Sequence, residues 1–238
     1  MSKIVVTCLL ALVYSAQVFA QTTTNIQTTD LANALKQKYA LAQEINDVDA
    51  AKDALLQLLA VQPSDTVTLF NLLRIYFETK QYNISYRLSK KYLLQFRSNI
   101  TLLDFYSRSC ELLTKYSEAL TGYEKMYLLT DDIYYQYYAA NIEYTTRHYD
   151  QCLKRIEDGL AKKLPKSVMK VVVTFTIGSA GETQQIDVFA AFNNLKGMLF
   201  AKTGRNSEAV LCYKKALEIE PNFVLAQENI HLLPVEIR

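Results

Sequence analysis

The sequence predicts an all-α fold of stacked helix pairs, with one β-hairpin inserted before the last pair. The first observation behind this prediction is a small residue followed four positions later by a residue that is usually aromatic or aliphatic. This pair recurs at a nearly constant interval. The second is that tyrosines mark turns between helices at the same interval. The third is a segment rich in Val and Thr around a glycine turn, where the interval lengthens.

The region 189–222 carries the clearest repeat. Its core is the segment Phe192-Asn193-Asn194-Leu195-Lys196-Gly197-Met198-Leu199-Phe200-Ala201-Lys202-Thr203-Gly204, followed by Ala209, Tyr213, Ala216 and Pro221. This order of small, aromatic and helix-stopping residues resembles one tetratricopeptide repeat, a helix-turn-helix unit of about 34 residues. One such unit cannot bury its apolar face alone, so the resemblance implies a right-handed superhelix of about five units.

Alignment of the rest of the chain to this unit yields five equivalent residue pairs: Ala51/Leu55, Ser85/Ser89, Ala119/Tyr123, Cys152/Ile156 and Ala209/Tyr213. The intervals from 51 to 85, 85 to 119, 119 to 152 and 152 to 209 are 34, 34, 33 and 57 residues. We therefore expect repeats one to four over 31–166, divided as 31–65, 66–99, 100–132 and 133–166, and repeat five over 189–222.

The first 20 residues differ from the repeats. Lys3 provides a positive start, Ile4 to Val13 form an apolar run, and Val18-Phe19-Ala20 precede Gln21. This order predicts a secretory signal peptide over 1–20, and hence an exported bacterial protein of the periplasm or cell envelope. The apolar run is shorter than the roughly 20 residues of a spanning helix, so we expect no integral membrane segment after cleavage. Residues 21–30 are polar and are expected to form a disordered lead-in.

The long interval contains the predicted β-hairpin, over 167–188. Alternating Val171, Val173, Phe175 and Ile177 indicate a strand with one buried face, followed by a glycine turn and a second strand. Two functions remain open: an edge that adds a partner's strand, or a spacer that holds repeats four and five in register. Residues 223–238 are expected to form a helix that caps the last repeat, and a tail.

The charged residues, cysteines and histidines of the sequence indicate which partners and ligands to expect. Lys and Arg number 26 against 24 Asp and Glu, without a basic stripe, so we expect no nucleic-acid partner. Cys110, Cys152 and Cys212 form no CxxC pair and are interpreted as buried thiols, with a Cys110–Cys152 disulfide as the alternative. His148 and His231 have no neighbour at metal-ligand spacing, so neither a metal nor a cofactor is expected.

No catalytic residues are predicted. The two histidines are not beside a serine or cysteine nucleophile, and no glycine-rich phosphate loop is present in the sequence. Asp131 and Asp132 follow Thr130 at a repeat junction, where aspartates accept hydrogen bonds from the first N–H groups of a helix. We therefore interpret this acidic pair as a helix cap and expect a protein that is not an enzyme.

The family resemblance implies that the first helices of successive repeats line a concave groove for an extended peptide or a partner's helix. Counting the period across these helices gives three mixed aromatic and polar rows, which also contain Asp104 and Glu111. In the alternative interpretation the arginines of these rows only pair with Asp104 and Glu111. The lysines and asparagines with which some family members clamp chaperone tails are not reproduced. The candidate groove residues are Phe70, Arg74, Phe77, Arg108, Tyr137, Asn141 and Tyr144.

These observations predict an exported scaffold that binds a protein or peptide partner and organises an envelope assembly, with peripheral association with envelope complexes. One alternative is a subunit that helps to assemble outer-membrane machinery. Another is a receptor for a small ligand or glycan that uses the groove tyrosines. A closed, deep pocket would favour the receptor, and an open groove would favour protein binding.

Overall fold

The structure is a computed structural model that describes residues 28–163, 171–177 and 181–233. The predicted signal peptide, the lead-in up to residue 27, the glycine turn at 178–180 and the tail from residue 234 lie outside the described residues. Residues 28–30 were expected in the lead-in but are helical. The first helix of repeat one therefore includes positions that the sequence pattern assigned to the lead-in.

The described residues contain eleven helices and one two-stranded antiparallel sheet, which confirms the predicted fold class. A first compact unit, 1–81, contains α1 (28–44), α2 (Val48–Val61) and α3 (Thr66–Glu78). A second unit, 82–238, contains α4 (Tyr82–Leu93), α5 (Ile100–Leu112), α6 (Tyr116–Thr130), α7 (Ile133–Thr145), α8 (Tyr149–Ala161), β1 (Val172–Ile177), β2 (Glu182–Asp187), α9 (Val188–Lys202), α10 (Asn206–Ile219) and α11 (Val224–His231).

Side-chain caps stand at the start of the first helix in repeats two to five. Asp65, Asn99, Asp132 and Asp187 stand directly before α3, α5, α7 and α9, and each side chain accepts a hydrogen bond from an N–H of the first turn. These bonds satisfy donors that have no partner within the helix. The Asp132 carboxylate, for example, lies 2.9 Å from the amide nitrogen of Tyr134. The interpretation as a helix cap is thus confirmed for Asp132, but it is wrong for Asp131, which ends α6 with a positive φ and pairs with Lys162.

The end of each first helix has the same backbone geometry. Five residues adopt positive φ angles, between 57° and 80°, at intervals that match those of the repeat pairs: Asn46, Lys80, Thr114, Arg147 and Gly204. The next N–H in each turn bonds back to a carbonyl five residues earlier, with N···O distances of 2.7–2.8 Å. This arrangement is the Schellman motif, which satisfies the last carbonyls of a helix and turns the chain into the next one.

The repeat register predicted from the sequence agrees with the burial of the side chains. All ten residues of the five aligned pairs are buried, among them Ser85 and Ser89. The Ser89 hydroxyl donates to the Ser85 carbonyl at 2.7 Å, and the Ser85 hydroxyl is 3.0 Å from that of Ser109 on α5. Repeat two therefore uses small hydrogen-bonded residues where a bulky side chain is usual, and α4 and α5 approach closely there.

Two glycines allow aromatic rings into the core of the second unit. A Cβ atom at Gly159 would lie 2.6 Å from Cζ of Phe192, and one at Gly197 would overlap the ring of Tyr213. Glycine costs about 1 kcal/mol relative to alanine inside a helix. At these two positions the space for Phe192 and Tyr213, which are both buried, explains why a smaller residue stands where alanine would favour the helix.

One carboxylate links three helices of the second unit. Oε2 of Glu118 on α6 accepts hydrogen bonds from the hydroxyls of Tyr106 on α5, at 2.5 Å, and Tyr86 on α4, at 3.0 Å. Lys90 Nζ lies 3.1 Å from the same oxygen. The hydrogen bond from Tyr106 contributes most to lowering the pKa of Glu118 to about 2. We call these four residues the Glu118 cluster.

The hairpin packs against the helices through the face that the alternation predicted. Val173 and Ile186, which are cross-strand partners, are buried. The ring of Phe175 lies 5.1 Å from that of Phe223, before α11, and 6.2 Å from that of Tyr137 on α7. A two-stranded hairpin is marginal alone in water, so these contacts with α7 and α11 stabilise it.

Candidate functional site

The first helices α7, α9 and α11, together with β1, form two adjoining depressions in the second unit. The hairpin pocket has a volume of 340 Å³ and lies beside β1, lined by Tyr137, Tyr138, Asn141, Val173–Thr176, Asn194, Met198, Leu225 and Asn229. The turn pocket has a volume of 680 Å³ and is lined by Tyr144, Met198, Ala201, Lys202, Gly204, Asn206, Tyr213, Asn229, Leu232 and Leu233. Met198 and Asn229 belong to both, so the depressions form one concave surface.

Asparagine side chains provide most of the polar groups at this surface. Asn194 is 2% exposed, and its Oδ1 accepts a hydrogen bond from Nδ2 of Asn229 at 3.0 Å. Its own Nδ2 lies 3.6 Å from the Met198 sulfur, a weak acceptor. Within the described part of the chain, the amide of half-buried Asn141 has no hydrogen-bond partner. Asn141 thus offers both a donor and an acceptor at the edge of the hairpin pocket.

The electrostatic character of the concave surface is close to neutral. Among the described residues, the lining of the hairpin pocket contains no acidic or basic side chain, and that of the turn pocket contains only Lys202. A molecule bound there would meet aromatic rings, aliphatic side chains and amides. Such a lining suits uncharged side chains and backbone amide groups, because a charged group would lose its hydration without gaining an ionic partner.

The structure brings three of the predicted groove residues together. Tyr137 and Asn141 line the hairpin pocket, and Tyr144 lines the turn pocket. Tyr137 is only 5% exposed, and its ring meets that of Phe192 edge-on at 5.4 Å. Burial raises the pKa of Tyr137 above its ordinary value. This tyrosine therefore forms a wall of the pocket and does not project from its surface.

The other predicted groove residues lie elsewhere. Phe70, Arg74 and Phe77 share a partly exposed face of α3, in the first unit, where Arg74 donates to Asn71 at 3.0 Å. Arg108, on α5, lies 3.6 Å from the carboxylate of Asp104. This contact is one of the pairs that the alternative interpretation expected.

Glu111, the other acid named in the alternative interpretation, bonds a tyrosine. Glu111 accepts a hydrogen bond from the Tyr123 hydroxyl at 2.8 Å. Burial raises the pKa values of both Asp104 and Glu111. The pairing of arginines with acids is thus seen for Arg108 and Asp104, whereas Glu111 bonds a tyrosine.

Several lining residues were missed by the sequence reasoning, which ended the rows of groove residues at repeat four. The interval of 57 residues between repeats four and five would have found three of them. It relates Tyr137 to Asn194, Asn141 to Met198, and Tyr144 to Ala201. Asn229 and the strand residues have no equivalent in the earlier repeats, so the period carries no signal for them.

A third depression, between α6, α7 and α8, is lined by side chains that already form ion pairs with one another. The Arg155 guanidinium bonds both carboxylate oxygens of Glu143, at 2.6 and 3.0 Å, and one oxygen of Glu124, at 2.7 Å. Glu143 is buried. Because the charges are already paired in a two-pronged geometry, this pocket is better explained as a structural link between three helices than as a binding site.

The three cysteines, which are the remaining reactive side chains considered in the sequence, belong to the core. Cys110, Cys152 and Cys212 are free and buried, as the interpretation of buried thiols expected, and the alternative Cys110–Cys152 disulfide is not formed. Burial raises the pKa of the Cys110 thiol to about 11 and that of Cys152 to about 12.

Across 28–163, 171–177 and 181–233, no group of three or more potential ligands could hold a metal ion. No helix in those same ranges is both long enough and apolar enough to cross a bilayer.

Comparison with known proteins places the chain among helical-repeat proteins. The family model for the tetratricopeptide repeat matches residues 190–223. A crystal structure of the MamA protein is similar over 82% of this chain and 94% of that chain, with a TM-score of 0.62 and 16% identity. MamA from Desulfovibrio magneticus RS-1 shares 11% identity at a TM-score of 0.62, over 82% of this chain and 97% of that chain.

A further similar structure is YrrB, described as a tetratricopeptide-repeat protein with an unusual peptide-binding site. The two chains are 15% identical, with a TM-score of 0.60 over 82% of this chain and 89% of YrrB. No curated protein matches the chain in sequence. Repeat solenoids of this kind present extended concave surfaces that are used for binding. One tetratricopeptide repeat is thus matched over 190–223, and the chain shares the fold of solved tetratricopeptide-repeat structures.

Proposed function

We propose that this protein is an exported scaffold that binds a segment of another protein in the concave surface of α7, α9 and α11. The single observation that carries the proposal is that the predicted row Tyr137, Asn141 and Tyr144 lines the two adjoining pockets. The same register places Asn194, Met198 and Ala201 on α9 beside it. A surface repeated from one helix to the next suits a ligand that is itself extended.

In this proposal, side-chain amides provide hydrogen bonds to the partner and aromatic rings provide apolar contacts. The Asn141 amide is available to bond a peptide group of the partner, while the rings of Tyr138 and Tyr144 offer apolar contact area. A single hydrogen bond contributes about 0.5–1.5 kcal/mol, so the loss of one amide should weaken binding by up to about tenfold. The similarity to YrrB, whose description names a peptide-binding site, supports a peptide ligand for this chain as well.

The proposed location rests on residues 1–20, whose charge and hydrophobic pattern is that of a secretory signal. With export, the partner would be a component of the bacterial envelope, and the protein would associate peripherally with an envelope complex. A subunit that helps to assemble outer-membrane machinery is the alternative of this kind. Affinity capture from envelope extract with the mature chain, followed by mass spectrometry, would identify the complex and decide between these roles.

The groove itself is tested by substitution. Asn141→Ala and Tyr144→Ala should each weaken capture of the partner several-fold. Asn141→Ala should leave the unfolding midpoint unchanged, whereas Tyr144→Ala should also lower it, because the Tyr144 ring packs against that of Tyr149 at 6.1 Å. Asn83→Ala is the matched control, because Asn83 is exposed on α4, a second helix, away from the pocket lining. Equal binding by all three variants would show that the partner binds elsewhere.

The two predicted arginines are tested separately. If Arg74 and Arg108 contact an acidic part of the partner, the double variant Arg74→Ala/Arg108→Ala should weaken capture and reduce its salt dependence. Because Arg108 pairs with Asp104, a variant with unchanged salt dependence would assign this arginine to the fold alone.

The turn pocket supports a second candidate, a receptor for a small ligand or glycan. Its volume of 680 Å³ lies in the range typical of small-molecule sites. Exposed Lys202 and Gly204 stand at its edge, so the pocket opens to solvent, which favours a protein ligand. Thermal-shift screening with oligosaccharides tests the receptor: stabilisation that Tyr144→Ala abolishes would favour it over a peptide-binding role.

A further inference from the structure

The hairpin presents two different edges. The bond from the Val188 N–H to the Val171 carbonyl, at 2.9 Å, fixes the alternation of the antiparallel ladder. Residues 173, 175 and 177 therefore direct their backbone groups toward β2, whereas Thr174 and Thr176 direct theirs outward. In the described part of the chain, the outward groups of these two threonines have no hydrogen-bond partner.

The outer edge of β2 is covered in part by the protein itself, at Asp187, while Thr183 and Gln185 also direct their backbone groups outward. The Asp187 N–H points outward and donates to Oε1 of Glu220, at the end of α10, at 3.4 Å. The Gln184 side chain accepts a bond from the Val224 N–H at 3.2 Å and donates to the Asn222 carbonyl. The β2 side of the hairpin is thus held to the turn between α10 and α11. The edge of β1, in contrast, borders the hairpin pocket, which Thr174 and Thr176 help to line.

The composition of β1 leaves this edge unprotected. Exposed edge strands in natural proteins usually carry charges, prolines or bulges that prevent pairing with another chain. The segment Val172–Ile177 contains no charged residue and no proline, and its pairing with β2 is regular over six residues. An extended backbone is the complement of such an edge, because only another strand satisfies a row of alternating N–H and C=O groups.

We propose that the outer edge of β1 receives an extended segment of the partner protein as a third strand, and that alternate side chains of this segment enter the hairpin pocket. The pocket selects uncharged side chains, because Tyr138, Asn141, Leu225 and the other described lining residues carry no charge. This inference rests on the proposed function, and it specifies the conformation and chemistry of the ligand. Backbone pairing contributes affinity, and the pocket contributes specificity.

The test compares two proline variants of the mature chain. Thr174 and Gln185 are cross-strand partners with exposed side chains, and each directs its N–H outward, on opposite edges. Proline is tolerated in a strand where the N–H faces outward. The probe is the tightest-binding peptide selected from a random peptide library displayed on phage. Thr174→Pro should weaken binding by about tenfold, since it removes one backbone hydrogen bond and blocks the edge. Gln185→Pro should bind as the wild type does.

Two further measurements separate the outcomes. Thr174→Val keeps the N–H and should bind normally, so a loss in this variant would assign the effect to the hydroxyl. If Thr174→Pro does not fold, N-methylation of the peptide replaces it: alternate positions should abolish binding and the intervening ones should not. Uniform tolerance of N-methylation, or equal loss in both proline variants, overturns strand addition.

The remaining outcomes are also informative. If binding survives Thr174→Pro but is lost in Asn141→Ala, the result supports the proposed function and contradicts only the addition of a third strand. If the library gives no binder, this result contradicts the peptide-binding function and, with it, the addition of a third strand. Concentration-dependent dimers of the wild type that Thr174→Pro abolishes would assign the edge to a second copy of this chain, against the proposal.

Discussion

Single residues at the ends of the first helices carry backbone strain that the sequence does not reveal. Gly204 occupies its left-handed conformation without penalty, but Asn46, Lys80, Thr114 and Arg147 adopt the same geometry with a side chain. The clash between Cβ and the following carbonyl costs roughly 1–2 kcal/mol per residue. Thr114, at φ 58°, is the most constrained, since its branched Cβ has the least freedom there.

Thr114→Gly should therefore stabilise the protein by about 0.5–1 kcal/mol, because relief of the clash exceeds the entropy that glycine loses on folding. Urea unfolding of both proteins measures the difference. Thr121→Gly is the matched control, since Thr121 is exposed in the middle of α6, where glycine costs about 1 kcal/mol relative to alanine. Destabilisation by both substitutions would contradict the strain at Thr114.

At the scale of elements, the junction of α4, α5 and α6 depends on the charge of Glu118. Tyr86 and Tyr106 stack at 5.6 Å and both donate to this carboxylate, which also attracts Lys90. The folded pKa of Glu118, about 2, lies below its ordinary value of 4.5. A lowered pKa means that the carboxylate stabilises the fold fully above pH 4.5. This contribution is lost as the pH falls from 4.5 toward 2.

Glu118→Gln should lower the melting temperature at neutral pH, because the amide cannot pair with Lys90 and accepts weaker hydrogen bonds. The difference from the wild type should close as the pH falls from 4.5 to about 2, where the wild-type carboxylate becomes protonated. Melting curves at a series of pH values measure it, with exposed Glu228→Gln as the control. A difference that does not depend on pH would mean that the charge of Glu118 is unimportant.

The hairpin is the other element whose contribution can be measured. Val173 and Ile186 pack into the same core as Phe192 and Phe223, so β1 and β2 complete the apolar interior of the last repeat. This packing supports the role of a spacer that holds repeats four and five in register. It is compatible with partner binding at the outer edge of β1, since the buried face and the free edge involve different groups.

Ile186→Ala should cost about 2–5 kcal/mol of unfolding free energy, the usual range for removing a fully buried isoleucine side chain. Chemical denaturation measures the loss, and Gln185→Ala, its exposed neighbour, should change stability by less than about 0.5 kcal/mol. A small effect at Ile186 would indicate that the hairpin is not part of the core.

At the scale of the whole molecule, the chain divides into a unit of 1–81 and a unit of 82–238. The boundary falls inside repeat two, between α3 and α4. The signal peptide that the sequence predicts over 1–20 belongs to the first of these ranges, and export of the chain stays a prediction. The features that predict it are Lys3, the apolar run and the small residue Ala20.

The full chain, expressed in a Gram-negative host, should be recovered from the periplasm with Gln21 as its first residue. Leu9→Arg/Leu10→Arg places charges in the apolar run and should leave the protein in the cytoplasm with its first 20 residues attached. Amino-terminal sequencing of both fractions measures this. Thr22→Ala, after the cleavage site, is the control. Cytoplasmic retention of the unaltered chain would contradict export.

Much of the helix-pair architecture was determined by local sequence. The predicted repeats begin at 66, 100 and 133, and α3, α5 and α7 begin at those residues, because Asp65, Asn99 and Asp132 cap the helices through bonds within their own first turns. The period also identified Asn141 and Tyr144 as pocket residues, since residues one repeat apart occupy equivalent faces.

The tertiary structure alone decided the rest, because the deciding contacts join residues far apart in sequence. Tyr137 becomes a buried wall through Phe175 and Phe192, which belong to the hairpin and to α9. Asn194 acquires its partner Asn229 only when α11 packs beside α9. The turn between α10 and α11 binds the β2 side of the hairpin, while the β1 side borders the hairpin pocket, and no periodic pattern carries that information.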